Sequence, residues 1–178
     1  MNNGNIYLTG YRCTGKSSAG RRLAELTGRT FVDADERFVN RSGLDVSEYV
    51  LLNGWKSFRR LETEILREMA EKSGMVVATG GGAVLDPENV RLMKKTGRVV
   101  WLRISPETIC RRLNADPATA GMRPGLTALP LADEVRETLA SREPLYRAAR
   151  DAAIDTEELS VDEVCGRIME FLEQKGDR

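Results

Sequence analysis

Histidine is missing altogether from this 178-residue chain. Its absence removes the commonest general base at neutral pH and the commonest metal-ligating side chain, so any acid–base work falls to carboxylates or to no residue at all. Cysteine is scarce: Cys13, Cys110 and Cys165 are odd in number, far apart and free of C-x-x-C spacing. Such a set excludes a disulfide framework and a cysteine-built zinc site and points to a reducing compartment, so the expected location is cytoplasmic. No apolar run approaches the roughly 18 residues of a membrane span, and the opening residues are followed by no cleavable hydrophobic leader. A charge of one sign is also lacking. Lys plus Arg number 27 and Asp plus Glu number 27, which leaves no overall field to draw nucleic acid or an anionic membrane surface. The length suits one domain, residues 1–178, with a substantial core. A monomer is expected, with small-molecule substrates, no nucleic acid and no membrane among its partners.

What the chain does contain is Gly10-Tyr11-Arg12-Cys13-Thr14-Gly15-Lys16-Ser17, which fits G-x-x-x-x-G-K-[ST]. In this pattern glycines let the backbone curl so that successive N–H groups surround nucleotide phosphates. Lys16 then reaches the β- and γ-phosphates, and the Ser17 hydroxyl ligates the Mg²⁺ that bridges them. The flanks supply the required context. Ile6, Tyr7, Leu8 and Thr9 form a β-prone run before the loop, and Ala19, Leu23 and Leu26 follow at helical spacing with Gly28 as a stop.

Residues 30–32 read as a second strand running into Asp33-Ala34-Asp35. On an extended strand end, carboxylates at i and i+2 leave on the same side, where an open α/β sheet holds its ligands. A helix-capping pair is the other reading, and both roles can coexist. Residues 42–53 suggest a turn and short helix, and residues 55–72 a clearer helix with Phe58, Leu61, Ile65, Leu66 and Met69 on one stripe. Arg59 and Glu62 are surface neighbours on it, by themselves an ordinary exposed ion pair. Residues 75–79 form an apolar run expected of a strand buried on both faces, and Gly80-Gly81-Gly82 behind it offers either close backbone approach to a substrate or a plain turn. A helix opening at Pro87, a strand at 99–102 and a helix capped by Ser105 follow. Residues 114–126, with Pro117, Gly121, Pro124 and Gly125 around Arg123, read as a mobile lid. A helix over 131–149 with a kink or break at Pro144, a strand at 152–155 and a helix opened by the Ser160/Glu163 capping box complete the chain. Five strands alternating with helices imply an α/β, three-layer αβα domain with a five-stranded parallel sheet.

The order GYRCTGKS, DAD, FRRLE, GGG, a lid with MRP, and REPLY resembles the shikimate kinases, P-loop enzymes of the nucleoside monophosphate kinase fold. The resemblance spans residue 6 to about residue 172. It implies transfer of a phosphoryl group from ATP to the 3-hydroxyl of shikimate, with Mg²⁺ as cofactor and residues 33–62 as the acceptor-binding helical segment. It places Asp33 with Ser17 near the metal, Asp35 on the shikimate hydroxyls, and Arg59 on the shikimate carboxylate, oriented by Glu62. Gly81 and Gly82 then contact substrate through the backbone, and Arg142 provides a second grip on the carboxylate. Arg12, Cys13, Thr14, Gly15, Lys16 and Ser17 surround the phosphates. Arg123 reaches them from the lid, and Arg112 flanks the adenine opposite residues 156–160. Lys16, Asp35 and Arg123 are the expected catalytic group.

Two departures from the family pattern stand out. Many relatives carry glycine where Cys13 stands, and relatives often read R-P-L-L where this chain has Arg123-Pro124-Gly125-Leu126. The competing readings are a same-fold kinase of another polyol acid such as gluconate, and a shikimate or nucleotide sensor without turnover. The Asp35, Arg59 and Glu62 set speaks against the first; retention of Lys16, Asp35 and Arg123 speaks against the second.

Overall fold

In the computed structural model, which describes residues 4–115 and 129–176, five strands form one parallel sheet in the order β2-β3-β1-β4-β5. The strands are β1 (Asn5–Thr9), β2 (Thr30–Asp33), β3 (Met75–Ala78), β4 (Gly97–Arg103) and β5 (Ala152–Asp155). β1 lies at the centre, in register with β3 through Ile6↔Val76 and with β4 through Ile6↔Arg98. Every residue of β1 and β3 is buried, the signature of parallel strands covered by helices on both faces.

The described helices are α1 (Lys16–Thr27), α2 (Ala34–Ser42), α3 (Val46–Ala70), α4 (Pro87–Thr96), α5 (Pro106–Ala115), α6 (Leu131–Ala149) and α7 (Val161–Gly176). One face of the sheet buries Tyr7, Val77, Val99 and Trp101 against Phe58, Ile65 and Met69 of α3, Met93 of α4 and Tyr146 of α6. The other buries Ile6, Leu8, Val76 and Val100 against Leu23 of α1 and Val164 and Ile168 of α7. The alternation of β1 side chains between the two cores follows from the period of two along a strand. A third cluster, with Tyr11, Ile109, Leu113 and Val135, packs the phosphate loop against α5 and α6.

Several expectations need correction. The two acidic residues do not share one side of a strand end. The strand stops at Asp33, which caps α2 by accepting from the N–H groups of Asp35 (2.9 Å) and Glu36 (3.4 Å), and Asp35 sits in the first helical turn. The expected boundary between a short and a long helix holds: within residues 46–70 the helical conformation is broken at Gly54, whose φ of 76° and ψ of 163° turn the chain between the two pieces. α6 runs through Pro144 without breaking, and α5 carries Asn114 and Ala115, where a loop was expected to have begun. The rest of the expected lid, including Arg123, lies outside the described residues.

Candidate functional site: a phosphate loop beside an anion pocket

β1 delivers the chain to the loop at the carboxyl edge of the sheet, where open α/β folds place ligands. Gly10 takes a φ of 140°, and a Cβ there would run into the Leu102 carbonyl, so the close passage of loop and β4 requires glycine. Gly15 adopts a left-handed conformation as the N-cap of α1, directing the helix's first free N–H groups toward the loop interior. Lys16 is buried and its ammonium donates to the carbonyl oxygens of Gly10 (2.9 Å) and Tyr11 (2.7 Å), spanning the loop from the inside. The Thr14 hydroxyl donates to the Tyr11 carbonyl at 2.9 Å. Cys13 stands in the left-handed region at φ 63°, a conformation that glycine adopts without steric cost and a side chain rarely does. The glycine common at this position in relatives has a backbone reason.

The Ser17 hydroxyl donates to Asp33 Oδ2 at 2.6 Å. These are hard oxygen donors at the rim of the phosphate cleft. No group of three or more His, Cys, Asp or Glu capable of holding a metal occurs among the described residues. The pair nevertheless fits Mg²⁺, which is typically held through one or two protein oxygens while phosphates and water complete its octahedron. The same cleft is lined by Arg12, Cys13, Gly15, Lys16, Asp35 and Arg112. Arg112, which lines it, donates to the Cys13 carbonyl at 2.8 Å; buried Thr156, outside that lining, donates to the Arg103 carbonyl at 3.3 Å.

A second, narrower pocket adjoins it, lined by Asp35, Arg59, Glu62, Gly80, Gly81, Gly82 and Arg142. Arg59 donates to Glu62 Oε2 at 2.6 Å, and the carboxylate side chain is only 8% exposed, which removes the reading of this pair as an ordinary surface bridge. Burial pushes the Glu62 carboxyl above its usual range, and the Arg59 guanidinium pulls the other way. Trp55 and Phe58 lie against the guanidinium, with ring centroids 5.4 and 4.9 Å away, so its plane is held by two aromatic surfaces as well as a carboxylate. The glycine run is not a mere turn. A Cβ at Gly80 would strike Glu62, one at Gly82 would strike the Arg59 guanidinium, and Gly81 packs against the Gly10 carbonyl.

Arg142 and Tyr146, one turn apart on α6, both donate to the Gly81 carbonyl, Arg142 at 3.3 Å. The Tyr146 ring stacks on Trp101 at 5.7 Å, and burial pushes its hydroxyl pKa up to about 12, so it remains a donor across the biological pH range. Tyr146 was not among the expected site residues. Its i, i+4 relation to Arg142 was the available signal. Of the expected residues, Arg12, Cys13, Gly15, Lys16, Ser17, Asp33, Asp35 and Arg112 line the cleft and Arg12, Asp35, Arg59, Gly81, Gly82 and Arg142 the adjoining pocket; Thr14 is buried in the loop and lines neither, and Arg123 lies outside the described residues.

A phosphate loop ending β1 of a 2-3-1-4-5 parallel sheet, next to an arginine-lined pocket for a small anion, defines a P-loop kinase of small metabolites. The shikimate kinase family model matches residues 12–173. "Shikimate kinase 2" of Syntrophotalea carbinolica is 43% identical over 150 residues, covering 84% of this chain and 86% of that protein. The structure of shikimate kinase from Acinetobacter baumannii in complex with shikimate is 31% identical, with a TM-score of 0.90 over 97% of this chain and 94% of that one. A gluconokinase from Sinorhizobium meliloti shares the fold only, at 18% identity and a TM-score of 0.61 over 99% of this chain and 95% of that one. The chain belongs to the shikimate kinase family, whose members use MgATP to phosphorylate shikimate.

Proposed function

We propose that the two cavities divide the reaction between them, the cleft holding MgATP and the pocket holding shikimate with its 3-hydroxyl toward the phosphate loop. The observation that carries this reading is the half-buried Arg59, paired with buried Glu62 and lining one pocket with Arg142 and the glycine run, a cationic fork suited to a planar carboxylate beside the phosphate cleft. Gly81 and Gly82 leave room for the substrate to lie against the backbone. Asp35, at the boundary of both cavities, orients the acceptor hydroxyl and takes its proton late, as the γ-phosphorus–oxygen bond to ADP breaks and the bond to the acceptor oxygen forms.

Lys16 carries positive charge to the β- and γ-phosphates, with the backbone of residues 12–15 around them. Ser17 and Asp33 would hold Mg²⁺, which would supply neutralisation of phosphate charge. Arg112 borders the adenine. Arg123 reaches the phosphates from the expected lid, which starts no earlier than the end of α5 at Ala115, an assignment supported by the family resemblance alone. The whole chain, residues 1–178, then acts as one cytoplasmic, monomeric kinase domain, with 33–62 as its acceptor segment and no nucleic-acid or membrane partner. No described helix is long and apolar enough to cross a membrane.

An ADP-release assay with purified protein, MgATP and either shikimate or gluconate tests the reading. Turnover with shikimate and none with gluconate is expected. Turnover with gluconate, or ATP binding with no turnover on either acid, would overturn it.

A further inference from the structure

Three residues line both cavities: Arg12, Asp35 and Val46. A phosphoryl group passing from one cavity to the other crosses the surface they share, and Arg12 is the only cation among them. Its position is set from outside the loop. One terminal nitrogen of Arg12 lies 2.7 Å from Oε1 of Glu134, in the first turn of α6, and the two side chains are 11% and 4% exposed. The Nε–H of Arg12 is buried and has no hydrogen-bond partner among the described residues.

A buried guanidinium donor left unmatched is costly, and buried carboxylates are held only where a charge compensates them. The two facts have one explanation if Arg12 is held by Glu134 at one edge while another edge is reserved for an acceptor that arrives with the substrates. We infer that Glu134 is a positioning residue for the phosphoryl transfer: it fixes Arg12 at the boundary of the cavities, where the guanidinium donates to oxygens of the migrating phosphoryl group. This inference rests on the assignment of the two cavities to ATP and shikimate. Charge on those oxygens is shared between the donor and acceptor sides during transfer, so a cation placed at the boundary acts most strongly on the transition state. Glu134 touches no substrate in this arrangement. A purely architectural staple between the phosphate loop and α6 is the alternative.

The test compares Arg12→Ala, Glu134→Gln and the double variant, each checked by its melting temperature. Arg12→Ala is expected to lower kcat about a hundredfold, the scale of losing one transition-state donor. Glu134→Gln, which keeps the shape and one acceptor, is expected to lower kcat about tenfold with both KM values within about twofold, since a misplaced group costs rate before binding. The double variant should be no slower than Arg12→Ala, because Glu134 acts through Arg12. Losses that multiply in the double variant, or a Glu134→Gln enzyme with normal kcat, would overturn the inference. Affinity for MgADP with fluoroaluminate and shikimate, a mimic of the transferring phosphoryl, gives a second readout that does not need turnover. Both single variants should weaken that complex more than they weaken binding of MgADP alone, and an unchanged mimic affinity would equally overturn it. Wild-type protein that binds the mimic yet turns over no shikimate would count against the proposed function and leave the pair to be judged on mimic affinity.

Discussion

The two halves of the site are built by different means. The phosphate half is backbone: Gly10 and Gly15 at positive φ, the free N–H groups at the start of α1, and one lysine lying along the loop's own carbonyls. The acceptor half is side chains locked by other side chains: Arg59 by Glu62, Trp55 and Phe58, and the Gly81 carbonyl by Arg142 and Tyr146. A loop of N–H groups suits any polyphosphate, whereas a guanidinium with fixed plane and fixed reach suits one shape of acid. On the proposed assignment, the donor half supplies charge and the acceptor half supplies selection. Substitutions in the first should appear in kcat, and those in the second chiefly in the acceptor's KM.

The largest effect is expected from Lys16→Met. It removes the charge that serves the β- and γ-phosphates without altering the acceptor pocket, and kcat should fall by about three orders of magnitude. Shikimate affinity measured by titration should change little. A Lys16→Met protein that lost shikimate binding instead would mean that the halves are not separable. Asp35→Asn comes next because Asp35 borders both cavities. Loss of its carboxylate should lower kcat about a hundredfold. A near-normal rate would reduce Asp35 to a first-turn acid of α2, where a negative charge near the helix N-terminus has a structural use of its own.

Arg59→Lys sharpens the comparison from the other side. A lysine keeps the charge but presents a point in place of a fork, so the shikimate KM should rise about tenfold, equivalent to about 1.4 kcal/mol, with kcat falling less. Steady-state kinetics with shikimate as the varied substrate would show it, and a fall in kcat alone would contradict the division of labour.

How much of this was legible in the residue order depended on the range of the interaction. The phosphate loop is local. Its glycines, Lys16 and Ser17 carry their chemistry within eight consecutive positions, and the flanking strand and helix follow from apolar spacing. Arg59 and Glu62 were visible as a pair at i, i+3, but not their burial, which arises because α3 is laid against the glycine run. Asp33 and Asp35 were placed on the correct sheet edge with the wrong local geometry, since the N-cap bonds of Asp33 start a helix one residue after it. The contact of Arg12 with Glu134 spans 122 positions, and no periodicity connects them. The break at Gly54 was anticipated only as a boundary between two helices, while the proline at 144 proved compatible with an uninterrupted helix.

The smallest effect concerns pH and is confined to the acceptor half. Burial raises the Glu62 carboxyl above the ordinary carboxylate range, with the Arg59 and Arg142 guanidinium groups opposing and Asp86 adding to the rise. As pH falls through that raised value, Glu62 is protonated and its charge-assisted hold on Arg59 is lost, so the shikimate KM should climb several-fold while kcat stays nearly level. The climb should begin at a higher pH than the ordinary range in which the free acid of the substrate titrates. Glu62→Gln should show a KM that is already elevated and flat through the same window. The stability sign is the reverse of the usual carboxylate case. Because the folded value is raised, the contribution of Glu62 to stability is fully present below its unfolded pKa and is lost as pH rises through the folded one. Thermal melts should therefore show Glu62→Gln gaining on the wild type as pH increases across that interval. A KM for the wild type that moves only with the substrate's own carboxyl would show that Glu62 is not the group that holds Arg59 in its working position.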